Sequence, residues 1–189
     1  GERIVHDPRV VMNTRAMIAE AGGQAVQART GHAFVKKAMR ESGAIYGGEM
    51  SAHHYFRDFA FADSGMIPWL LVAELVSRKG QPLADLLSQR IAAFPSSGEI
   101  NFRLDDADAA IDRVLSAYAA EARSRDDTDG ISLEFADWRF NLRRSNTEPV
   151  VRLNVEAAGD ADLVARQASA ALGREVRIDE NFDIDWSLT

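Results

Sequence analysis

The strongest constraint on this chain lies toward its C-terminal end, where two stretches alternate strictly between apolar and polar residues. Trp138, Phe140 and Leu142 alternate with Arg139, Asn141 and Arg143, and Val151, Leu153 and Val155 alternate with Arg152 and Asn154. Successive side chains on a strand point to opposite faces, so each stretch reads as a strand with an apolar face for a core and a polar face for something else. Between them lies Arg144-Ser145-Asn146-Thr147-Glu148-Pro149, a turn of small hydrogen-bonding residues. Four arginines fall within residues 139–152, although the 189-residue chain carries a formal charge of −7. Guanidinium forks, hydroxyls, an amide and exposed turn amides together match the oxygens of a phosphate dianion. The same residues also read as a solvated strand face, with the arginines pairing to Glu134, Glu148 or Asp137.

Around this pair the second half reads as a small α+β unit. A strand is expected at Glu99–Leu104, then a helix capped by Asp105 or Asp106 that carries Ile111, Val114, Leu115 and Tyr118 on one face. Arg123–Asp129 reads as a loop, Ile131–Phe135 as a strand and the stretch from Asp160 to Leu172 as a helix; the acidic tail from Arg174 receives no assignment. The first half alternates strands at Arg3–His6, Gln24–Ala28 and Ala44–Gly47 with helices at Asn13–Gly22 and Ala33–Arg40. Asn13 is expected to cap the first of these, and Asp63 or Ser64 an apolar helix running through Leu70 and Leu75 to Val76. Strand–helix–strand–helix–strand predicts an α/β domain with a partial open sheet, parallel or mixed. Phe94-Pro95-Ser96-Ser97-Gly98 breaks the pattern, which places one domain at residues 1–95 and an antiparallel sheet packed by helices at 96–189.

Composition narrows the function classes. Apolar residues make up 46 % of the chain and charged residues 27 %, ordinary for a globular protein with a core. The acidic balance supplies no basic excess to displace counterions, which argues against nucleic acid or an anionic membrane surface as partner. No apolar run approaches the length of about 18 residues that spans a bilayer. With no cysteine there is no disulfide, thiolate metal site or cysteine nucleophile, which fits a cytoplasmic protein.

A second cluster follows the third expected strand: Gly47-Gly48-Glu49-Met50-Ser51-Ala52-His53-His54-Tyr55-Phe56. Loops leaving strands of open α/β sheets are where ligands usually sit, and two glycines permit a sharp exit. Glu49, Ser51 and His53 stand at alternate positions and would project together from an extended segment, offering acceptors and donors to vicinal sugar hydroxyls. Two other readings compete: a metal site from His53, His54 and Glu49, or a structural connection with partly buried aromatics.

Taken together, Gly48-Glu49-Met50-Ser51-Ala52-His53 and Arg143-Arg144-Ser145-Asn146-Thr147-Glu148-Pro149 resemble the sugar-recognition and phosphate-binding loops of the α-D-phosphohexomutase superfamily. Gly47–Asp58, Asp63–Leu75 and Asp129–Glu156 are similar to bacterial phosphomannomutases and phosphoglucomutases, and the resemblance runs from Arg3 to about Leu172. It implies the C-terminal half of a four-domain isomerase that interconverts 6- and 1-phosphates of mannose, and also of glucose, through a phosphoserine and a bisphosphate intermediate. It implies that Glu49 and Ser51 bind sugar hydroxyls with His53 beside them, that His32 is another cleft histidine, and that Arg9 is a basic substrate contact. Arg143, Ser145, Asn146 and Thr147 match the clamp on the unreacting phosphate, with Arg152 in support. Such an enzyme works in the cytosol with Mg2+ and supplies activated sugars for surface polysaccharide.

The departures from that pattern are as informative. The Thr-Ala-Ser-His-Asn-Pro-type loop that carries the phosphoserine does not occur, nor does the Asp-Gly-Asp-x-Asp-Arg-type loop that binds magnesium. The resemblance therefore implies partner domains on the N-terminal side, an exposed apolar edge where they are missing, no bound metal and no turnover by this chain alone. His53 and His32 would support catalysis at most. A freestanding phosphosugar-binding module without catalysis is the alternative. Taken singly, His32 also reads as a helix-start residue and Arg9 as a surface cation.

Overall fold

The computed structural model describes residues 1–104, 106–145, 150–172, 177–178 and 184–185. The chain divides into two compact units, Gly1–Arg90 and Ile91–Thr189.

The first unit opens on β1 (Arg3–His6), and α1 (Met12–Glu20) leads on to β2 (Gln24–Gln27). α2 (His32–Ser42) then returns the chain to β3 (Tyr46–Gly48). β1 pairs in parallel with both β2 and β3 and lies between them. The two helices are the crossovers that parallel neighbours require. β4 (His54–Phe56) adds antiparallel to β3, and β5 (Ala62–Asp63) antiparallel to β4, so the sheet is mixed.

Its core is small. Val35 and Met39, one turn apart on α2, are fully buried against Val5, Ala44 and Tyr55. Gly47 is what lets the helix come this close: a Cβ there would meet Met39 Sδ at 2.7 Å and Val35 Cγ1 at 2.9 Å. Its role is close packing inside β3 rather than the sharp strand exit expected from the Gly-Gly pair. Asn13 is not a cap either. It lies within α1, and its Oδ1 accepts a hydrogen bond from Arg90 Nε at 2.8 Å.

α3 (Met66–Lys79) ends at Gly80 in the left-handed conformation, with φ 63°, and α4 (Leu83–Ala93) follows. α4 has no counterpart among the helices expected from the sequence. Neither helix buries a residue, and Trp69, Leu70, Leu71 and Leu75 of α3 stay exposed. No helix among the described residues is long and apolar enough to cross a membrane.

The second unit is one antiparallel sheet with helices against it. β6 (Ile100–Phe102) is followed by α5 (Ala107–Tyr118), β7 (Ser124–Asp126) and β8 (Ile131–Glu134). The alternating stretches form β9 (Trp138–Arg144) and β10 (Val151–Ala157), and α6 (Ala161–Leu172) comes next. The strand order is β6-β10-β9-β8-β7. β7 corrects the expected loop at Arg123–Asp129: Ser124, Arg125 and Asp126 pair with Glu134, Leu133 and Ser132. Cross-strand pairing supplies what local hydrophobicity did not. Asp106 caps α5 by accepting the Ala109 amide at 2.9 Å, and Asp160 Oδ1 accepts the Leu163 amide at 2.8 Å at the head of α6. Most of the acidic tail lies outside the described residues; β11 (Arg177–Ile178) and β12 (Ile184–Asp185) pair with each other.

Phe140, Leu142, Leu153 and Val155 form the apolar face, closed by Val164 and Ala168 of α6. The opposite face is not solvated. Arg139, Asn141, Arg143, Asn154 and Glu156 are all buried. Arg139 and Glu156 are register partners and form an ion pair at 2.5 Å, with side chains 2 % and 1 % exposed. The Asn154 amide donates to Gly98 O at 2.9 Å, while Ser97 Oγ accepts the Val155 amide at 2.9 Å, so the Ser97-Gly98 segment lines this polar layer.

Removing one partner from a buried pair leaves a charge that water cannot reach. Glu156→Ala therefore lowers stability by about 3–5 kcal/mol, measured as a fall in the urea unfolding midpoint. Glu41→Ala, in an exposed pair with Lys37, costs less than about 0.5 kcal/mol. Equal costs for the two substitutions would remove the buried pair from the account of this fold.

Candidate functional site

The parallel strands of the first unit deliver three loops to one edge of the sheet. β1 runs into Asp7-Pro8-Arg9, β2 into Thr30-Gly31-His32, and β3 into Glu49-Met50-Ser51. Arg9 is buried, at 5 % exposure, so it is not a surface cation. Asp7 holds it: Arg9 Nε and Nη2 donate to Asp7 Oδ2 at 3.0 and 2.5 Å, and the Arg9 amide donates to Oδ1 at 3.0 Å. The same Oδ2 accepts the Met50 amide at 2.8 Å, and Arg9 Nη2 donates to Ser51 Oγ at 3.3 Å. Asp7 thereby joins the β1 loop to the β3 loop.

Glu49 performs a matching task between the β3 and β2 loops. Its Oε2 accepts the Gly31 amide at 2.8 Å and its Oε1 accepts the Tyr55 hydroxyl at 2.5 Å. Burial first, and then Glu49 and Asp63, push the Tyr55 phenol far above its ordinary pKa, so it remains a donor. The β3–β4 segment is a tight turn rather than an extended run. The Glu49 amide donates to His53 O at 3.0 Å, and Ala52 takes a left-handed φ of 62°. Glu49, Ser51 and His53 consequently do not project by alternation, and each is placed by a partner elsewhere in the fold.

His53 and His54 turn to different partners, and the proposed grouping of both with Glu49 around a metal is not formed. His54 Nδ1 lies 2.6 Å from the Tyr46 hydroxyl, and His53 Nδ1 lies 2.7 Å from Asp63 Oδ2. Asp63 was expected to cap α3. It sits instead in β5, where Oδ1 also accepts the His54 amide at 2.9 Å, and Ser64 Oγ accepts the Ile67 amide at the helix start. Burial raises the Asp63 pKa, but the His54 amide and the His53 and His32 rings outweigh it and hold the carboxyl below its ordinary value. An ionised carboxylate only accepts, so His53 Nδ1 carries the shared hydrogen. His32, exposed at the first position of α2, stands edge-on to His53 with ring centroids 4.4 Å apart.

The second unit presents its own cluster at the far end of β9. Arg143, 5 % exposed, donates from Nη2 to Glu99 Oε2 at 2.9 Å, and Arg152 Nη1 reaches Glu99 Oε1 at 3.4 Å. Glu99 thus spans the two arginines, and Arg144 pairs with Asp108. Neither Glu99 nor Asp108 was among the carboxylates expected from proximity in sequence, and of those expected Glu148 lies outside the described residues. Arg143 Nε is buried and has no hydrogen-bond partner among the described residues. Gly130, at φ 71°, keeps this strand accessible to its neighbour: a Cβ there would strike Leu142 O at 2.5 Å and Arg143 Cα at 2.8 Å. The Ser145 amide donates to Val150 O at 2.9 Å, while Asn146 and Thr147 lie outside the described residues.

Asp7, Tyr55, Asp63 and Glu99 were missed as site residues. Only Asp7 carried a local signal, two positions before Arg9; the others reach the site through strand pairing or from more than forty residues away.

The Asp63 carboxyl has a titration that can be followed at the His54 amide. Because its folded pKa is depressed, its stabilising contacts are complete above the ordinary carboxylate value of about 3.9 and are lost as pH falls through the lower folded value. The His54 amide proton should shift with a midpoint below that value in a 15N-resolved titration. A midpoint at or above it would mean that the His53–Asp63–His54 contacts do not hold in solution.

Two family models match the chain in succession. Residues 1–94 match phosphoglucomutase/phosphomannomutase α/β/α domain III, and residues 99–173 match the C-terminal domain of the same family. A phosphomannomutase of Salmonella montevideo is 62 % identical over 172 residues, covering 91 % of this chain and 38 % of the relative. A phosphohexose mutase of Xanthomonas campestris is 60 % identical over 164 residues, covering 87 % of this chain and 37 % of the relative. The chain thus spans well under half the length of the curated relatives it matches. The crystal structure of a phosphoglucomutase/phosphomannomutase family protein from Burkholderia thailandensis aligns with a TM-score of 0.72 at 33 % identity, over 91 % of this chain and 37 % of that one. With both units matched in order by the models of two consecutive domains, the chain belongs to the phosphoglucomutase/phosphomannomutase family.

Proposed function

We propose that this chain is the sugar- and phosphate-gripping half of a cytoplasmic phosphohexomutase that converts mannose 6-phosphate to mannose 1-phosphate and also accepts glucose phosphates. The observation that carries the reading is the buried Arg143 guanidinium, whose Nε has no partner among the described residues and which opens the Arg144–Pro149 turn. A buried donor left unmade costs about 1–3 kcal/mol, and a phosphate oxygen would satisfy it. Ser145, Asn146 and Thr147 add donors from the turn, and Arg152 supports the clamp through the shared Glu99. In the first unit, Glu49, Ser51 and His53 offer acceptors and donors for sugar hydroxyls, with His32 and Arg9 beside them.

The isomerisation itself needs a phosphoserine and a divalent ion, supplied in the whole enzyme by domains on the N-terminal side. Mg2+ prefers oxygen donors in octahedral geometry. The converging ligand set found among the described residues, two imidazoles and one carboxylate, does not fit it. No step of the transfer is therefore assigned to a metal on these residues, and His32 and His53 act on the sugar at most. A phosphosugar-binding module without catalysis remains the second reading, since every residue named here binds rather than attacks.

Two measurements test this. Arg143→Ala should weaken glucose 1-phosphate or mannose 1-phosphate binding by the worth of a charge-assisted bond, about 1.5–3 kcal/mol. Arg123→Ala, outside the clamp, should leave it unchanged. Isothermal titration calorimetry reads both, with circular dichroism to establish folding, and equal affinities would contradict the clamp. The purified chain should also show no conversion of mannose 6-phosphate in a coupled assay, and turnover by homogeneous protein would overturn the division of labour.

A further inference from the structure

We propose that His32, His53 and Asp63 form a binding site for a zinc-class divalent ion. One ligand atom from each side chain lies within 4.8 Å of the others. Imidazole nitrogen and carboxylate oxygen are the donors that zinc takes at about 2.0–2.2 Å, so neighbouring donors in a tetrahedral shell stand about 3.3 Å apart. In the ion-free chain His53 Nδ1 and Asp63 Oδ2 share one hydrogen bond at 2.7 Å; zinc takes the place of its proton, which leaves to solvent, and the two atoms then need to open only slightly. The remaining contraction falls on His32, which is exposed at the start of α2 and has room to rotate.

The site is built rather than accidental. Asp63 is fixed by the His54 amide, which donates to its Oδ1 at 2.9 Å. Its position in β5 is set by register against Tyr55, whose hydroxyl is in turn bonded to Glu49. Three protein ligands leave an open coordination position for water, the arrangement of exchangeable rather than purely structural zinc sites. Two nitrogen donors among three also discriminate against magnesium, which the parent family's chemistry calls for elsewhere. An ion held here occupies the imidazoles assigned above to the sugar, and this one consequence rests on the phosphosugar reading. The binding site itself does not.

The test uses tag-free, chelator-treated protein titrated with zinc chloride and, separately, with magnesium chloride near neutral pH. One zinc per chain is expected and no magnesium heat. His32→Ala, which removes an exposed side chain and should fold normally, weakens zinc at least about tenfold. His53→Ala does the same, while His54→Ala retains the site because that ring serves Tyr46. No zinc uptake by the unaltered chain, or uptake that survives both His32→Ala and His53→Ala, overturns the proposal. Glucose 1-phosphate titrated into metal-free protein tests the phosphosugar reading on its own, so the failure of one is distinguishable from the failure of the other.

Discussion

Charge withdrawn from water has to be paired, and both units of this chain are organised by that obligation. In the first unit the Asp7 carboxylate takes the Arg9 guanidinium and the Met50 amide, which ties the exit of β1 to the exit of β3. In the second, Arg139 with Glu156 and Arg143 with Glu99 let a strand face studded with arginines pack beneath Ser97-Gly98 instead of facing solvent. Each of the three pairs costs desolvation, so none is by itself a large source of stability. What each provides is a single geometry for groups that would otherwise sample many rotamers.

That geometry has a chemical consequence. Glu99 fixes the Arg143 guanidinium through Nη2, and the Nε that has no partner among the described residues is a donor held in one place. Preorganised donors lose little entropy when an anion arrives, which is what the proposed phosphate clamp would use. The first unit shows the same principle with carboxylates. Glu49 and Asp63 each spend one oxygen on a backbone amide and the other on a side chain, fixing Tyr55 and the His53 ring.

The apolar character of α3 stands apart from this pattern. Its Trp69, Leu70, Leu71 and Leu75 are exposed although the helix is well formed and closed by Gly80. Composition alone would have placed them in a core. The expectation of an exposed apolar edge rested on the resemblance and not on the periodicity of the helix, since periodicity tells which residues share a face but not what covers it.

Local sequence determined the elements whose signals are local. Alternation over Trp138–Arg143 and Val151–Val155 set β9 and β10, the i, i+4 pair Val35 and Met39 set the buried face of α2, and Asp106 and Asp160 marked helix starts through caps three residues long in reach. The two loops proposed to hold sugar and phosphate stand out for the same reason, because their residues are nearly contiguous. Only the tertiary structure decided which carboxylate each cation would take, that the polar face of β9 and β10 is buried, that β7 is a strand, and that Asp63 serves His53 rather than α3. Those outcomes depend on strand register and on contacts between residues distant in the chain. A hydrogen bond acts over about 3 Å, whatever the number of residues between its partners, and sequence spacing beyond one turn carries no information about that distance.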